Sequence, residues 1–121
     1  MTKRRNPDEC LPLTPAMFEV LIALADGEKH GYAVLKEVER RTDGSVTLSP
    51  GTLYAIIRRF VSDGIVAETD ERPDAALDDE RRRYYRLTEF GRSVACGEAR
   101  RMETALGMAR AKSLIPKARL T

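Results

Sequence analysis

The segment from Ser49 to Asp63 combines side chains that can bind phosphate with the spacing of an amphipathic helix. Ser49 is placed to cap this helix, and Pro50 suits its first position. The apolar residues recur at i, i+3, i+4 and i+7 and predict the buried side: Leu53, Ile56, Ile57 and Phe60. The residues left toward solvent are Thr52, Ala55, Arg58 and Arg59. Guanidinium and hydroxyl groups on the outer side of a helix, near its positive N-terminal end, suit contact with nucleic-acid phosphates and base edges.

Each of these side chains also has an ordinary structural interpretation. On an isolated helix, Arg58 and Arg59 would form a solvated face, while Ser49 and Thr52 would only cap the helix. Tyr54 lies beside the apolar stripe, where its ring can pad the core or its hydroxyl can reach a phosphate. The elements around this helix therefore decide which interpretation to prefer.

Two helices are predicted before it. The first begins after Thr14 and is stopped by Gly27, and its apolar residues at helical spacing are Phe18, Leu21, Ile22 and Ala25. The second runs from residue 32 to about residue 42, with an apolar stripe formed by Val34, Leu35 and Val38. Lys36 on its exposed side can reach a nucleic-acid backbone or stay solvated, and Tyr32 has the same two interpretations as Tyr54. His30 is expected to serve the helix start rather than to bind a ligand.

A hairpin and one long helix are predicted after it. Residues 65–69 and 82–87 alternate as strands do, and the polar segment between them contains Pro73, which indicates a hairpin with a long tip. The last helix is capped by Thr88 and runs to about residue 112. Its apolar stripe is thin and consists of Val94, Ala95, Met102, Ala105, Leu106 and Ala109. On a single chain this stripe would leave apolar side chains partly exposed to water, so we expect this helix to pair with a second copy.

Three short helices, a hairpin and a long helix follow one another in the order of a winged helix-turn-helix protein. The predicted fold class is mainly α with a small β-hairpin, a winged helix-turn-helix plus a long C-terminal dimerisation helix. The predicted divisions are a flexible basic arm at 1–13, a DNA-binding domain at 14–87, the dimerisation helix at 88–115 and a tail at 116–121. The third helix of such a domain can enter a major groove about 12 Å wide, so this order favours DNA contact by Arg58 and Arg59.

Three stretches resemble the PadR family of transcriptional regulators, in its short form with a single C-terminal helix. They are HGYAVLKEVE at 30–39, LSPGTLYAIIRRFVSDGIV at 48–66 and RRRYYRLTEFGR at 81–92. The resemblance implies a dimeric, sequence-specific regulator that often responds to a small ligand. It implies a DNA-facing set of Tyr32, Ser49, Thr52, Tyr54 and the arginines that follow. It also implies a dimer interface through the first and last helices, for which we name Phe18, Met102, Ala105, Leu106 and Ala109.

The predicted hairpin tip is acidic, which limits how it can approach DNA. Acidic residues concentrate between Glu68 and Glu80, before the basic run at 81–83. Because phosphates repel carboxylates, we expect Arg82 and Arg83 at the base of the hairpin to contact the backbone while the tip points away. Reversing the charge of both arginines is expected to weaken binding to all sequences and to lower its salt dependence.

The composition restricts the remaining classes of function. The 121 residues suit one domain, and the net charge of only +2 does not by itself announce a nucleic-acid partner. No apolar run approaches the ~18 residues of a membrane helix, so we expect a cytoplasmic protein without a membrane partner. Cys10 and Cys96 are far apart and His30 is the only histidine. The sequence therefore predicts no metal site, no cofactor and no enzymatic activity.

The predicted function is a transcriptional regulator, a repressor rather than an activator, that binds an inverted repeat in double-stranded DNA as a homodimer. The alternative is a winged-helix protein-interaction module without DNA binding, which the acidic tip and the low net charge favour. A small-molecule effector is left open. The chain has no tryptophan to stack on a flat compound, and Met102 and Met108 suit either a soft apolar pocket or interface packing.

Overall fold

The structure is a computed structural model that describes residues 5–69 and 83–116. Within these residues a short 3-10 helix, Pro7–Cys10, precedes four α-helices and three β-strands. Their bounds are α1 Pro15–Leu24, β1 Lys29–His30, α2 Gly31–Arg41, α3 Pro50–Ser62, β2 Val66–Thr69, β3 Tyr84–Leu87 and α4 Glu89–Ala111. The predicted class, mainly helical with a small antiparallel sheet, is confirmed.

Helices α1, α3 and α4 each begin after a residue whose side chain caps the helix. The hydroxyl oxygens of Thr14, Ser49 and Thr88 accept hydrogen bonds from backbone N–H groups three residues on, at 3.1, 3.1 and 2.9 Å. These three bonds satisfy N–H groups that have no partner inside the helix. The predicted starts of α1, α3 and α4 are thereby confirmed.

Helix α2 begins one residue earlier than predicted, and a histidine caps it. The Nδ1 atom of His30 accepts a hydrogen bond from the backbone N–H of Ala33 at 3.1 Å. The structural role expected for His30, at the start of a helix, is confirmed.

The sheet has three antiparallel strands in the order β1-β3-β2. Val66 pairs with Leu87 and Glu68 with Tyr85 in the hairpin, while Lys29 of β1 pairs with Tyr85 on the other edge of β3. The sequence predicted only the hairpin. Strand β1 is two residues long, too short for a local pattern, and its partner lies far along the chain.

The core lies between α1, α2, α3, the sheet and the first part of α4, and its largest fully buried side chains include Phe60, Leu21, Leu24, Leu53 and Ile57. The stripe predicted for α1 is partly wrong. Phe18 and Ile22 are half-buried and Ala25 is exposed, whereas Val20 and Ala23 are fully buried. Helix α1 contacts both α2 and α4, so its buried face is wider than a single amphipathic stripe.

The segment at 5–13, predicted to be part of a flexible arm, is packed against α4. Its 3-10 helix contacts α4, and the guanidinium of Arg5 lies 4.3 Å from the ring centroid of Phe90. Leu13 is only 8% exposed, and its backbone N–H donates to Glu98 Oε2 at 2.7 Å. The prediction relied on polar composition and missed this long-range anchor. Residues 1–4 of the predicted arm and 117–121 of the predicted tail lie outside the described residues.

Helix α4 leaves the body of the protein partway along its length. Near its start, the backbone approaches the carbonyl oxygen of Ile65 so closely that a Cβ on Gly91 would lie 1.9 Å from it. Glu98 is the last residue of α4 that is buried, and the helix continues to Ala111, or for about 20 Å. None of the helices described is both long and apolar enough to cross a bilayer.

Candidate nucleic-acid interface

Helix α3 presents a sealed apolar side and an open polar side. Leu53, Ile57 and Phe60 are at most 2% exposed, and Ile56 is half-buried. Thr52, Arg58 and Arg59 are exposed on the opposite side. The neighbouring elements of the same chain therefore cover most of the apolar side and leave the basic side accessible to a partner.

The first turn of α3 uses its two hydroxyl groups to hold each other in place. Ser49 Oγ accepts from the Thr52 N–H and donates to Thr52 Oγ1 at 3.0 Å. The capping interpretation of Ser49 is therefore confirmed. Both residues remain exposed, so the cap also presents hydroxyl oxygens at the positive end of the helix.

The two arginines of α3 differ in their surroundings. The side chain of Arg59 is 73% exposed, and its Nε lies 3.8 Å from a carboxylate oxygen of Asp63. An exposed pair at this separation is weak, so the charge of Arg59 remains available to another anion. Arg58 is exposed and lines a groove between α3 and the hairpin.

Tyr54 is a packing residue in this structure. Its ring lies against the first residue of α2, where a Cβ on Gly31 would come within 2.6 Å of the Tyr54 hydroxyl oxygen. A larger residue at position 31 would therefore have to displace the Tyr54 ring. The padding interpretation of Tyr54 is confirmed, and a phosphate contact by its hydroxyl stays a prediction.

Tyr32 and Lys36 extend the polar surface along α2. Tyr32 is 57% exposed, and Lys36 Nζ lies 5.3 Å from the centroid of its ring. On the other side, the ring of Tyr32 stacks with His30 at 6.5 Å, and His30 meets Tyr84 edge-on at 5.7 Å. The pairing of β1 with β3 brings His30 next to Tyr84, and His30 links Tyr84 to Tyr32. This pairing joins distant segments, so no local sequence pattern revealed the row of rings.

The base of the hairpin carries an ion pair that the sequence did not reveal. Arg83 Nη1 lies 2.8 Å from Glu68 Oε1, with side chains 39% and 29% exposed. The groove beside this pair is open and measures about 650 Å³, and it is lined by Tyr54, Ile57, Arg58, Val61, Ser62, Glu68, Arg83 and Tyr85. Side chains alternate along β2, and this alternation puts Glu68 on the same face as buried Val66. The alternation is the signal in the sequence that could have revealed the position of Glu68. Arg82 and the acidic tip at 70–80 lie outside the described residues, so their orientation stays a prediction.

The second half of α4 carries the residues predicted for a dimer interface. Met102, Leu106 and Met108 are 42%, 47% and 60% exposed, Ala105 is exposed and Ala109 is half-buried. Phe18 of α1 is half-buried against the core of its own chain. The interface stays a prediction, but the structure leaves these α4 side chains uncovered.

A buried carboxylate marks the point where α4 leaves the body. Glu98 is 1% exposed and accepts hydrogen bonds from the Leu13 backbone and from Arg101 Nε. The hydrogen bond from Arg101 holds the pKa of Glu98 below its usual value, against the opposing effect of burial. No sequence pattern marks this role, because the position of Glu98 on α4 suits a solvated acid equally well.

Nothing in the described parts of the chain forms a metal site. Across residues 5–69 and 83–116, no group of three His, Cys, Asp or Glu side chains could hold an ion. Cys10 is half-buried and Cys96 is exposed, and both are free thiols.

Comparisons with known proteins identify the family from the sequence and the fold from solved structures. The model of the transcriptional regulator PadR-like family matches residues 20–95. A transcriptional regulator of Mycobacterium tuberculosis is 33% identical over 84 residues, which are 69% of this chain and 72% of that protein.

Two solved structures share the architecture. A transcriptional regulator from Clostridium thermocellum superposes with a TM-score of 0.65 at 22% identity, over 79% of this chain and 87% of its own. Bacillus subtilis PadR in complex with operator DNA superposes with a TM-score of 0.61 at 16% identity, over 71% of this chain and 47% of its own. At such identities the likeness shows the fold, and it confirms the predicted winged-helix architecture.

Proposed function

This chain belongs to the transcriptional regulator PadR-like family, and from that premise we propose that it binds double-stranded DNA as a homodimer through the outer side of α3. The observation that carries the proposal is the division of α3 into two sides. Its apolar side is buried in its own chain, while Thr52, Arg58 and Arg59 stand exposed beside a capped, positively polarised helix start. A helix so arranged suits insertion into a major groove.

The fold supports the same conclusion from a second direction. The B. subtilis protein that shares this architecture was solved with operator DNA. In this chain, Tyr32 and Lys36 of α2 and Arg83 at the hairpin base add polar groups beside α3 that suit backbone contacts. Affinity would come from lysine and arginine on phosphates, and discrimination from a few side chains of α3 and from DNA shape.

The second half of α4 supports dimerisation. An isolated helix of this length is marginally stable in water, and this one exposes Met102, Leu106 and Met108 on its surface. A second copy packed along it would bury these side chains and place two α3 helices on one face. Two-fold symmetry then suits an inverted repeat with half-sites about 34 Å apart.

Repression is the mode of regulation that we propose, because a dimer bound across an inverted repeat would occlude a promoter from within the cytoplasm. A small-molecule effector of this regulator would bind at soft apolar side chains. The described residues offer Met102 and Met108 as soft apolar groups, and the same residues suit the dimer interface.

Selection of bound fragments from a random duplex pool tests DNA binding, symmetry and half-site spacing together. We expect enrichment of an inverted repeat and an affinity that falls steeply with salt. The double variant Arg58→Gln/Arg59→Gln should lose most of this affinity. Arg100→Gln on α4, which removes one exposed cation from the side facing the 3-10 helix, is the matched control and should bind as the unmodified chain does.

The result that would overturn the proposal is retention of no duplex at any salt concentration. The winged-helix domain would then serve as a protein-interaction module. Enrichment without symmetry would keep the DNA partner and reject the two-fold dimer on an inverted repeat.

A further inference from the structure

We propose that Glu68 is a specificity-determining positioning residue, which holds the guanidinium of Arg83 in the groove between α3 and the hairpin and withholds its charge from non-specific DNA. The inference rests on the proposed function, because it concerns the same DNA-binding surface. It assigns a role to an acidic residue on a surface that the sequence marks only by its basic residues.

The strand register places the two side chains on one face of the hairpin. Glu68 of β2 is directly opposite Tyr85 of β3, so these residues share a face. Arg83 precedes Tyr85 by two residues and therefore points to the same face, diagonally across from Glu68. Because Tyr85 is only 6% exposed, this is the face turned toward the body of the protein, and the pair lies at its open edge.

The pair faces α3 across the groove. Arg58 lines the same groove of about 650 Å³, and the nearly buried Ile57 and Tyr85 line it as well. The groove therefore brings two guanidinium groups from different elements beside one carboxylate. A nucleic-acid strand that lies between α3 and the hairpin would meet all three groups.

The Glu68–Arg83 pair is shorter and less exposed than the Arg59–Asp63 pair of the same surface. It joins atoms 2.8 Å apart on side chains 39% and 29% exposed, whereas Arg59 and Asp63 are 3.8 Å apart and 73% and 42% exposed. Shorter separation and partial burial both strengthen an ion pair, because the attraction varies inversely with distance and with the local dielectric constant. Glu68 therefore helps to hold Arg83 beside the groove.

Neutralisation by Glu68 affects two kinds of DNA complex differently. Non-specific binding depends almost entirely on the number of phosphates that cations neutralise, and pairing with Glu68 reduces the contribution of Arg83 to that number. A specific complex gains from an arginine that is already in position, since less ordering is required on binding. Glu68 thus lowers affinity for random sequence and preserves affinity for a strand that fits the groove.

The decisive comparison is Glu68→Gln with Glu28→Gln. Glu28 carries the same charge beside the same hairpin, but its carboxylate lies 3.3 Å from the Thr69 hydroxyl rather than on an arginine. The probes are a random-sequence duplex pool and the duplex enriched in the selection above, each titrated over a range of NaCl concentrations. Glu68→Gln should raise affinity for the random pool several-fold, steepen its dependence on log salt by about one, and reduce the ratio of specific to random affinity. Glu28→Gln should change none of these.

Two further variants separate positioning from simple repulsion. In an Arg83→Gln background, Glu68→Gln should leave the salt dependence where Arg83→Gln put it, because its effect acts through Arg83. Glu68→Asp keeps the charge and shortens the reach, so it should weaken binding to the enriched duplex and raise random-pool affinity less than Glu68→Gln does. Far-ultraviolet circular dichroism checks that each variant is folded.

The failures of the two proposals are distinguishable. If the unmodified chain binds duplex DNA and Glu68→Gln behaves as Glu28→Gln does, this inference is wrong and the proposed function stands. An equal increase in salt dependence with and without Arg83 would also overturn it, since the carboxylate would then act by direct repulsion. If the unmodified chain retains no duplex, both proposals are overturned.

Discussion

Helix α3 and the second half of α4 are both amphipathic, but they expose opposite sides. On α3 the apolar side is covered by the chain itself and the exposed side carries Thr52, Arg58 and Arg59. Beyond Glu98, the residues of α4 are exposed except for half-buried Ala109, and the exposed ones include Met102 and Leu106. An uncovered basic side suits a polyanion, whereas an uncovered apolar side suits another apolar surface.

The difference supports the proposal that one small domain has two kinds of partner, DNA and a second copy of the chain. The surface around α3 can stay in water without loss until DNA arrives, because its groups are charged. The second half of α4 is unfavourable in water, so its partner should be present continuously. We therefore expect the dimer to form before DNA binding and to persist without it.

The largest expected effect comes from disturbing the close contact between the start of α4 and Ile65, which follows α3. Gly91→Ala would place a Cβ 1.9 Å from the Ile65 carbonyl oxygen, a backbone atom that cannot move aside easily. We expect a loss of about 3 kcal/mol or more in the free energy of unfolding, measured by urea titration at fixed protein concentration. The same substitution at Gly107, where a Cβ meets nothing within 4 Å, is the control. It should leave stability unchanged or raise it by up to about 1 kcal/mol. Equal stability of the two variants would contradict the close approach.

The next effect concerns the apolar side of α4. Met102→Glu/Leu106→Glu should raise the dimer dissociation constant at least about 100-fold, because each carboxylate would be buried in the interface without a partner. Sedimentation equilibrium over a range of protein concentrations measures it. Thr104→Glu lies on the other side of the helix and should leave the dimer intact. A monomer mass for the unmodified chain at micromolar concentration would reject the dimer itself.

A smaller effect distinguishes the two arginines of α3. Arg58→Gln should weaken binding to the enriched duplex by about 1–3 kcal/mol and relax the preference at one base position. Arg59→Gln should weaken binding to all sequences and lower the salt dependence by about one unit. Competition titrations with single-position variants of the duplex measure both. Identical, sequence-independent losses would assign both arginines to phosphates.

The smallest effect tests the anchor between the two halves of α4. The hydrogen bond from Arg101 lowers the pKa of Glu98 in the folded protein below the ordinary value of a glutamate side chain. A carboxyl group with a lowered pKa contributes stability above its unfolded pKa, and this contribution is lost as the pH falls through the folded pKa. Glu98→Gln should therefore cost about 1 kcal/mol near neutral pH and lose less stability than the unmodified chain below about pH 4.5. Urea titrations across this range measure the slope, with exposed Glu103→Gln as the control. Parallel slopes for the unmodified chain and Glu98→Gln would show that this carboxylate is not linked to folding.

Much of the fold was predictable because its signals are local. Thr14, Ser49 and Thr88 cap helices with bonds to residues three positions on, and the stripe from Leu53 to Phe60 repeats within one helix. The exposed polar side of α3 follows from the same stripe. The prediction failed where a contact joins distant segments, as with Leu13 and Glu98, or Lys29 and Tyr85. The partial error in α1 has the same origin, because α4 covers a side of α1 that no local pattern marks.

By itself, the sequence determined the order of the helices and most of the strands and the division of α3 into an apolar and a basic side. It also determined the thin apolar stripe of α4. These features depend on capping, turn residues and periodicity, which act over a few neighbouring positions. Only the tertiary structure decided that residues 5–13 pack against α4, that Glu98 is buried with a lowered pKa, and that Glu68 pairs with Arg83. Those outcomes depend on which distant segments meet, and a charged side chain has no fixed role until its neighbours determine whether it is solvated, paired or buried.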